Sequence, residues 1–418
     1  MSSGDSIRKH LFSLTTRGIK YDLERMRLAV RRCGEAQEGY DSFHVAGTNG
    51  KGSVCAYLES ALRQCGMKTG LFTSPHLIRF EERFMVNGRP IEEQLWIDVY
   101  EDLRNMIDEL SLTFFEATTL MAFEIFRRQR VAWAVFETGL GGRLDATNVV
   151  VPKVSVISRV AMDHMEYLGS DLGSVALEKL GIVKPGVPLV MALPDQEWMK
   201  DLAAVHCNGL ESGCVFVNGN DAQEVSIDAA GASFAWQGNR YRVNQIGPYQ
   251  VTNALLALSA LKAAGFTDDR SIAAGLEKTQ LPGRFQVVQA RGRTAVFDVS
   301  HNPDASQQFC EAAAIRFKGK SISCVLGIMK DKDFADMIPN YARIAMQIIV
   351  TAPKTERAAR SEELLSRIPG DFTGEKQSLP NIISALEAAF NSPADVICIA
   401  GSFFTVGEAM EYLDINPY

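Results

Sequence analysis

No apolar run in the 418-residue sequence approaches the roughly 20 residues that a helix needs to cross a bilayer. The eight cysteines are scattered without the paired spacing of a metal site, and the N-terminus lacks the pattern of a signal peptide. Basic character is also missing, because the formal net charge is -7, whereas general nucleic-acid binding needs a basic surface. We therefore expect a cytoplasmic protein with reduced thiols that binds neither membranes nor nucleic acids.

The length is enough for two or three domains of about 150 residues each. Short apolar runs that read as buried strands alternate with amphipathic, helix-like patterns, which predicts an α/β fold. The best candidate linker is Leu281-Pro282-Gly283-Arg284-Phe285, where proline and glycine interrupt the pattern before a fresh series of strands and helices. We expect a P-loop-type, mainly parallel sheet flanked by helices in residues 1–281. A smaller Rossmann-like α/β domain is expected in residues 282–418.

The most informative stretch is Val-Ala-Gly-Thr-Asn-Gly-Lys-Gly-Ser, which ends at Ser53. The apolar run before it predicts a strand and the pattern after it predicts a helix, so the glycines occupy a strand-to-helix turn. Backbone N–H groups at such a helix start can bind a polyphosphate, with Lys51 as a point charge and the Ser53 hydroxyl for magnesium. Gly52 is an extra residue relative to the strict P-loop pattern. A tight glycine turn without a ligand is the alternative.

The same stretch resembles the ATP loop of the folylpolyglutamate synthases and the bifunctional dihydrofolate synthases. These enzymes form the folate branch of the Mur-ligase superfamily of ATP-dependent, amide-forming enzymes, in which the extra glycine is normal. The resemblance implies that ATP is bound by Asn49, Gly50, Lys51, Gly52 and Ser53. It also implies a catalytic part for Lys51.

A carboxylate and a hydroxyl follow two further predicted strands. The apolar run that ends at Phe136 reads as a central strand and delivers Glu137, whose burial is costly unless a cation pairs with it. Magnesium is one such partner, and a structural salt bridge is the alternative. Ser74 follows another strand, where open α/β sheets bind ligands, although turn serines are common there. The resemblance makes Ser53, Ser74 and Glu137 magnesium ligands.

Two residues take their predicted roles from the resemblance alone. His164 lies in an Asp-His…Leu-Gly motif after a strand end, and the family implies that it is a catalytic ligand of a second magnesium ion. Lys179, in Glu-Lys-Leu-Gly-Ile, matches a catalytic lysine that carries a carbamate, which replaces a cation by a carboxylate-like anion. By residue type alone, the histidine would be structural and the lysine a solvated helix residue.

The segment from Ser111 to Glu116 has two interpretations. It is a helix start with Thr113 as the cap and Glu116 in the capping-box position. It also resembles the pteroate-binding loop of the bifunctional enzymes, in which an aromatic ring stacks on the pterin. The second interpretation implies that the substrate is contacted by Thr113, Phe114, Phe115 and Glu116.

Another run, Glu-Thr-Gly-Leu-Gly-Gly-Arg-Leu-Asp-Ala-Thr-Asn, begins at Glu137 and is highly specific to the folate ligases. By resemblance, Leu144, Asp145 and Ala146 lie against the pteroate. The tetrapeptide Gly18-Ile19-Lys20-Tyr21 aligns with a pterin-contacting segment of the same enzymes.

The remaining matches surround and follow the predicted linker. Asn253, Arg284, Asp298 and His301 match ATP contacts of the family, the last two within an Asp-x-x-His-Asn-Pro motif. The run Lys330-Asp331-Lys332-Asp333 resembles a family loop, but a charge run of this kind predicts a solvated face.

Together the matches predict ligation of L-glutamate to dihydropteroate and to reduced folates through an acyl phosphate. The resemblance implies a monomer that uses ATP as co-substrate and two Mg²⁺ ions. A folylpolyglutamate synthase without the dihydropteroate reaction is the alternative within the family. A P-loop signalling switch would need a guanine-reading Asn-Lys-x-Asp motif, which the chain lacks, and the run from Leu140 to Asn148 argues against a peptidoglycan-type relative.

Overall fold

The computed structural model describes residues 3–18, 20 and 22–418. Ile19 and Tyr21 of the predicted pterin-contacting segment therefore lie outside the described residues. Within the described part of the chain, no helix is long and apolar enough to cross a membrane.

An eight-stranded sheet forms the larger part of the structure, and its strands are β1 (Asp41–Ala46), β2 (Thr69–Phe72), β3 (Phe84–Val86), β4 (Arg89–Pro90), β5 (Trp133–Glu137), β6 (Val154–Ile157), β7 (Leu189–Ala192) and β8 (Cys214–Val217). Their spatial order is β4-β3-β2-β5-β1-β6-β7-β8. The pairs β2–β3 and β3–β4 are antiparallel and the others are parallel. Because β1 lies between β5 and β6, the loops after these three strands meet at one edge of the sheet.

Both faces of this sheet are covered by helices, namely α1 (Ser3–Ser13), α2 (Glu24–Arg32), α3 (Lys51–Gln64), α4 (Glu93–Glu109), α5 (Phe114–Arg128), α6 (Met165–Leu168), α7 (Leu172–Leu180), α8 (Glu197–Gly209), α9 (Pro248–Ala263) and α10 (Asp269–Lys278). Strand β5 is buried on both faces, which explains why its sequence is almost entirely apolar. Val135 packs on the side of α3, α9 and α10, while Ala134 and Phe136 pack on the side of α4 and α5. A strand buried on both faces cannot alternate apolar with polar residues.

Two smaller sheets complete the fold. Strands β9 (Gln223–Asp228), β10 (Gly231–Trp236) and β11 (Asn239–Val243) form an antiparallel sheet whose apolar residues join the core around α9 and α10. The other sheet follows residue 285 and contains β12 (Gln286–Ala290), β13 (Arg293–Asp298), β14 (Ile322–Leu326), β15 (Gln347–Val350), β16 (Glu375–Ser378) and β17 (Val396–Ala400). Its order is β12-β13-β17-β14-β15-β16, with only β12 antiparallel to its neighbour.

Helices α11 (Pro303–Arg316), α12 (Phe334–Ala342) and α13 (Ser361–Leu365) cover one face of the six-stranded sheet, and α14 (Ile382–Asn391) and α15 (Phe403–Tyr412) cover the other. The predicted α/β class is thus confirmed, with a large, mainly parallel sheet and a second C-terminal sheet. The boundary between residues 281 and 282 stays a prediction.

The strands predicted before the glycine turn, before Ser74 and before Glu137 are present as β1, β2 and β5, and the helix predicted after the turn is α3. The region after α8 divides, because Cys214–Val217 extends the large sheet and the rest forms the three-stranded sheet. Helices α1, α6, α10 and α15 and strands β12 and β16 were not predicted. Strand β16 reads Glu-Lys-Gln-Ser and lacks any apolar signal, since it lies at the sheet edge.

Helices α3 and α10 approach so closely that Gly275 admits no side chain. A Cβ atom there would lie 2.4 Å from the Cα atom of Ala61, which is backbone and cannot move aside alone. We expect Gly275→Ala to lower the free energy of unfolding by about 1–3 kcal/mol, measured by urea denaturation. Gly209→Ala is the matched control, because Gly209 ends α8 with open space around it, and it should change stability by less than about 0.5 kcal/mol. Equal effects of the two substitutions would contradict the close approach.

Candidate active site

The glycine-rich turn connects β1, at the centre of the large sheet, to the start of α3 at Lys51. Gly50 has a φ of 89°, a conformation that favours glycine, and a Cβ atom there would lie 2.5 Å from Oδ1 of Asn253. A Cβ on Gly47 would lie 1.9 Å from the hydroxyl of Ser158. The loop is therefore fitted against α9 and the end of β6. Asn253 lies directly beside it, and its contact with ATP stays a prediction.

Two lysine side chains meet at this loop. The Nζ atom of Lys51 donates to the carbonyl oxygens of Gly47 and Thr48, each at 3.1 Å, and Nζ of Lys179 donates to the Gly47 carbonyl at 2.8 Å. Lys179 is buried. Burial, together with the nearby charge of Lys51, lowers the pKa of Lys179 to about 7. The side-chain amine of Lys179 can therefore be uncharged near neutral pH.

An acidic group faces the lysines from the end of β5. Glu137 is buried, and its carboxylate accepts one backbone hydrogen bond, from the N–H of Ser74 at 3.3 Å. Burial raises the pKa of Glu137, and the charges of Lys51 and Arg284 oppose that rise. A Cβ atom on Gly52 would lie 3.6 Å from Nη2 of Arg284 and 3.8 Å from both Glu137 oxygens. Loop, carboxylate and guanidinium therefore surround one small space.

These groups line a cavity of about 250 Å³ between the two larger sheets. The cavity extends from Gly52 along the segment after β2 to the C-terminal part of the chain. Other residues also line it, among them His76, Phe403 and Tyr418. The ring of Phe403 supports Arg284, whose Cζ atom lies 5.0 Å from the ring centroid.

The residues present fit a divalent metal ion of the hard, oxygen-binding kind. No cation of the described residues lies within 4.0 Å of the Glu137 carboxylate, although this group is buried, and burial of an unpaired carboxylate is costly. Hydroxyl groups of Ser74 and of Ser53, in the first turn of α3, complete an oxygen-rich donor set. No group of three or more His, Cys, Asp or Glu suited to a metal occurs among the described residues. The fit is therefore to a site in which substrate oxygens supply further ligands.

A second charged cluster has Asp163 at its centre. Its carboxylate lies 2.7 Å from Nζ of Lys332, 3.6 Å from Nε2 of His301 and 3.8 Å from Nε2 of His164. Burial acts to raise the pKa of Asp163, but the two histidines and Lys332 outweigh it and hold that pKa well below its usual range. Burial lowers the pKa of His164 to about 4, which leaves a neutral imidazole able to bind a metal.

The prediction that the run from Lys330 to Asp333 is a solvated face is wrong for Lys332. Only 8% of the Lys332 side chain is exposed, because it is buried against Asp163. Lys330, two residues earlier, is exposed as expected. The run follows β14 at the edge that faces the large sheet, and no feature of the local sequence reveals which lysine turns inward.

Asparagines join the two larger sheets next to this cluster. Asn49 of the loop donates to Oδ1 of Asn302 at 3.2 Å and to Oδ2 of Asp304 at 2.7 Å, and Asn302 donates back to Oδ1 of Asn49 at 2.9 Å. Arg159, which follows β6, donates to Asp304 at 2.9 Å. The predicted ATP residue Asn49 is thus engaged by the start of α11. Asn302 and Asp304 were missed as contacts, although both lie in or beside the Asp-x-x-His-Asn-Pro motif.

Two predicted ATP residues lie at the end of β13. Asp298 is buried and accepts from the N–H groups of Phe285 and Ser300, both at 2.8 Å. Burial raises the pKa of Asp298, and the charge of Arg284 opposes the rise. Nδ1 of His301 lies 3.1 Å from the carbonyl oxygen of Val299, and Nε2 of His301 lies 3.6 Å from the Asp163 carboxylate. Asp298 thus anchors the segment that carries Arg284.

The segment before α5 is a helix cap, as its sequence predicts. Thr113 and Glu116 form the reciprocal capping box, and Glu116 also pairs with Arg25 at 3.0 Å. Phe114 stacks on Phe12 with ring centroids 5.4 Å apart. The polar groups of this segment are therefore used within the protein, while its two aromatic rings are only partly buried.

The run after Glu137 is organised by Asp145. Its carboxylate accepts from the N–H groups of Gly139, Leu140 and Thr147 and from the Thr147 hydroxyl, at 2.5–3.0 Å. Phe115 packs on Gly139, where a Cβ atom would lie 2.5 Å from the ring. The two predicted substrate segments thus meet at Gly139. Substrate contacts from Leu144, Asp145, Ala146 and residues 113–116 stay predictions.

Comparisons with known proteins agree in family and in fold. The Mur ligase middle domain matches residues 45–261, and the Mur ligase glutamate ligase domain matches residues 283–403. The chain is 32% identical over 409 residues to the dihydrofolate synthase/folylpolyglutamate synthase of Escherichia coli, covering 97% of this chain and 94% of that one.

Solved structures are similar over nearly the whole chain. The folylpolyglutamate synthase of Mycobacterium tuberculosis with ADP and AMPPCP is 26% identical, with a TM-score of 0.91 and full coverage of both chains. A bifunctional folylpolyglutamate synthase/dihydrofolate synthase of Yersinia pestis with AMPPNP and a Mn ion is 27% identical, with a TM-score of 0.86 and 99% coverage of both chains.

The pair of Asp163 and Lys332 should contribute measurably to stability. Because both side chains are more than nine-tenths buried, Lys332→Met leaves a buried carboxylate without its nearest cation and should cost about 3–5 kcal/mol. Asp163→Asn in the same chain should recover part of that loss, so that a double-mutant cycle gives a favourable coupling energy. The measurement is urea denaturation followed by circular dichroism. Lys330→Met is the control, and a Lys332→Met loss no larger than the control's would contradict the pairing.

Proposed function

The chain belongs to the Mur ligase family, and we propose that it ligates L-glutamate to dihydropteroate, giving dihydrofolate, and to reduced folates, giving folylpolyglutamates. It is an ATP-dependent ligase. The observation that carries the proposal is the common space around Gly52, which the Glu137 carboxylate and the Arg284 guanidinium approach from different parts of the chain. Similarity to enzymes named for both activities over nearly the full length supports the choice of substrates.

Binding of ATP is assigned to the glycine loop and the residues around it. The N–H groups of Gly50, Lys51 and Gly52 point along the start of α3, where an anion is favoured by the helix dipole. Ser53, Asn49 and Asn253 are proposed to contact the nucleotide from the loop and from α9. Arg284, Asp298 and His301 are proposed to contact it from the other side of the cavity, with the planar guanidinium suited to phosphate.

Magnesium is proposed to be held by Ser53, Ser74 and Glu137, with His164 as a ligand of a second ion. When bound, magnesium neutralises phosphate charge and orients the transferred phosphoryl group. The chain itself contributes Lys51 as a cation near the loop and Glu137 as a fixed anion. Glu137 is buried and Lys51 is partly buried, and electrostatic interactions are stronger away from bulk water.

The reaction follows from the chemistry of the substrates. A carboxylate resists attack by an amine, so a carboxylate oxygen of the acceptor takes the γ-phosphoryl group of ATP and ADP leaves. The amino group of L-glutamate then attacks the acyl carbon, phosphate leaves with the bonding electrons, and the amine nitrogen loses a proton. Lys51, Arg284 and the loop N–H groups stabilise the charge that moves in the first step. Contacts between the two larger sheets, such as Asn49 with Asn302, exclude water that would hydrolyse the acyl phosphate.

Several finer assignments complete the proposal. The acceptor is proposed to lie against Phe114, Phe115 and the 144–146 segment, with Thr113 and Glu116 shaping the loop. Two magnesium ions, a monomer, a cytoplasmic location and a domain boundary between residues 281 and 282 are proposed from the family resemblance.

A coupled assay of ADP release tests the function directly. With magnesium, ATP and L-glutamate, we expect ADP with dihydropteroate and, in a separate reaction, with tetrahydrofolate, and no ADP above background when glutamate is omitted. Turnover with tetrahydrofolate alone would make the protein a folylpolyglutamate synthase without the first activity. No turnover with either acceptor would contradict the proposal.

Lys179 is proposed to carry a carbamate formed from its neutral amine and carbon dioxide. Because its pKa is lowered to about 7, the amine is neutral above that pH and protonated below it. In carbon-13 bicarbonate, the NMR signal of a carbamate should be strong at about pH 8 and largely lost at about pH 6. Lys179→Met should remove the signal. Lys184→Met is the matched control, since Lys184 is another lysine whose pKa burial lowers, to about 8. A signal that depends on Lys184 instead would refute the assignment.

A further inference from the structure

Arg83 is a buried cation without a counter-ion among the described residues. It ends the turn before β3 and is 7% exposed. Its Nε–H donates to Nδ1 of His76 at 2.9 Å, whereas no described carboxylate lies within 4.0 Å of the guanidinium. Neither Nη1 nor Nη2 has an acceptor in the described part of the chain. Two pairs of strong donors therefore lack a partner on a side chain that is almost wholly buried, and this arrangement is costly unless a ligand pairs with them.

The acidic neighbours of Arg83 are engaged elsewhere. The carboxylate of Glu82 accepts from the N–H groups of Leu77, Ile78 and Arg79 at 2.7–3.1 Å. Glu81 pairs with Arg8 at 2.9 Å and accepts from the indole of Trp96 at 2.7 Å. The two carboxylates next to Arg83 in sequence are thus both engaged by other groups.

His76 is oriented by this arginine. Because its Nδ1 accepts the hydrogen bond from Arg83, the ring proton of a neutral imidazole lies on Nε2. Nε2 has no hydrogen-bond partner among the described residues, and His76 lines the same cavity as Ser74 and Glu137. One more donor is thereby presented to the place where the phosphoryl acceptor must lie.

Aromatic rings cover the other side of the guanidinium. Cζ of Arg83 lies 5.1 Å from the ring centroid of Phe114, which stacks on Phe12. Phe12 is 40% exposed, so aromatic surface of this stack reaches solvent. A ligand that combines an aromatic ring with a carboxylate matches both features.

We propose that Arg83 and His76 form the subsite that binds the carboxylate of the acceptor, an aromatic carboxylic acid, next to Glu137. The inference rests on the proposed function and adds to it the residues that select an acid. The forked Nη groups of Arg83 and the Nε2–H of His76 donate to the carboxylate. These hydrogen bonds fix the position of one carboxylate oxygen and of the acceptor's aromatic ring before phosphoryl transfer. L-glutamate, the other carboxylic acid of the reaction, is bound elsewhere.

The test measures binding without nucleotide or magnesium, so that it does not depend on catalysis. Pteroate and its primary amide, which has the same rings without the charge, are titrated by fluorescence quenching. We expect Arg83→Gln to weaken pteroate binding about 10- to 100-fold and to leave amide binding within about twofold. His76→Phe should show the same selectivity with a smaller loss. Arg79→Gln, at an exposed arginine of the same turn, is the control and should change neither affinity.

The outcomes separate this inference from the proposed function. Because no described buried carboxylate pairs with Arg83, Arg83→Gln leaves none unpaired, and its thermal unfolding midpoint should stay near that of the unchanged protein. Arg83→Lys is a second variant, which retains the positive charge without the forked guanidinium. Equal loss of acid and amide binding, or a change confined to the KM for L-glutamate, would overturn the inference while ligase activity stands. Failure of the unchanged protein to bind pteroate or to release ADP would overturn both.

Discussion

The carbonyl oxygen of Gly47 accepts hydrogen bonds from both Lys51 and Lys179, and much of the candidate site depends on that shared acceptor. Burial lowers the pKa of Lys179 to about 7, and the nearby ammonium of Lys51 adds to the effect. The loop can hold this position because β1 is central in its sheet and is flanked by β5 and β6. The same placement puts Glu137, at the end of β5, opposite the lysines.

Part of the charge is balanced between the two larger sheets. Glu137 and Asp163 come from the large sheet; Glu137 is opposed by Lys51 of the same part and by Arg284, and Asp163 pairs with Lys332, and both Arg284 and Lys332 follow residue 281. Each part of the chain would therefore hold uncompensated buried charge without the other. The contacts between the sheets thus serve the electrostatics of the site as well as the exclusion of water.

The fold and some of the candidate residues could be predicted from the sequence because their signals are local, whereas the other candidates depended on the family resemblance. A glycine turn between strand and helix, an apolar strand that ends in Glu137, and a capping box at Thr113 each lie within a short window. Lys332 shows where such reasoning fails, since its burial depends on Asp163, which is remote in sequence. Arg83 was missed for the same reason. Neither the use of Glu82 by the 77–79 turn nor the approach of Phe114 can be seen in the residues around it.

The glycine that departs from the strict P-loop pattern has a physical reason in this structure. Side chains from β5 and from the segment before β12 approach Gly52 to within ordinary contact of a Cβ position, 3.6 Å for Arg284 and 3.8 Å for Glu137. An alanine would fit between them, but its methyl group would occupy the space where cation and carboxylate face each other across the loop. Glycine at the second residue of the helix makes the helix less stable than alanine would, by about 1 kcal/mol. In return, the space beside the loop stays open to a polar ligand. The extra glycine is thus a consequence of a site assembled from two sheets, in which side chains from both reach the phosphate loop.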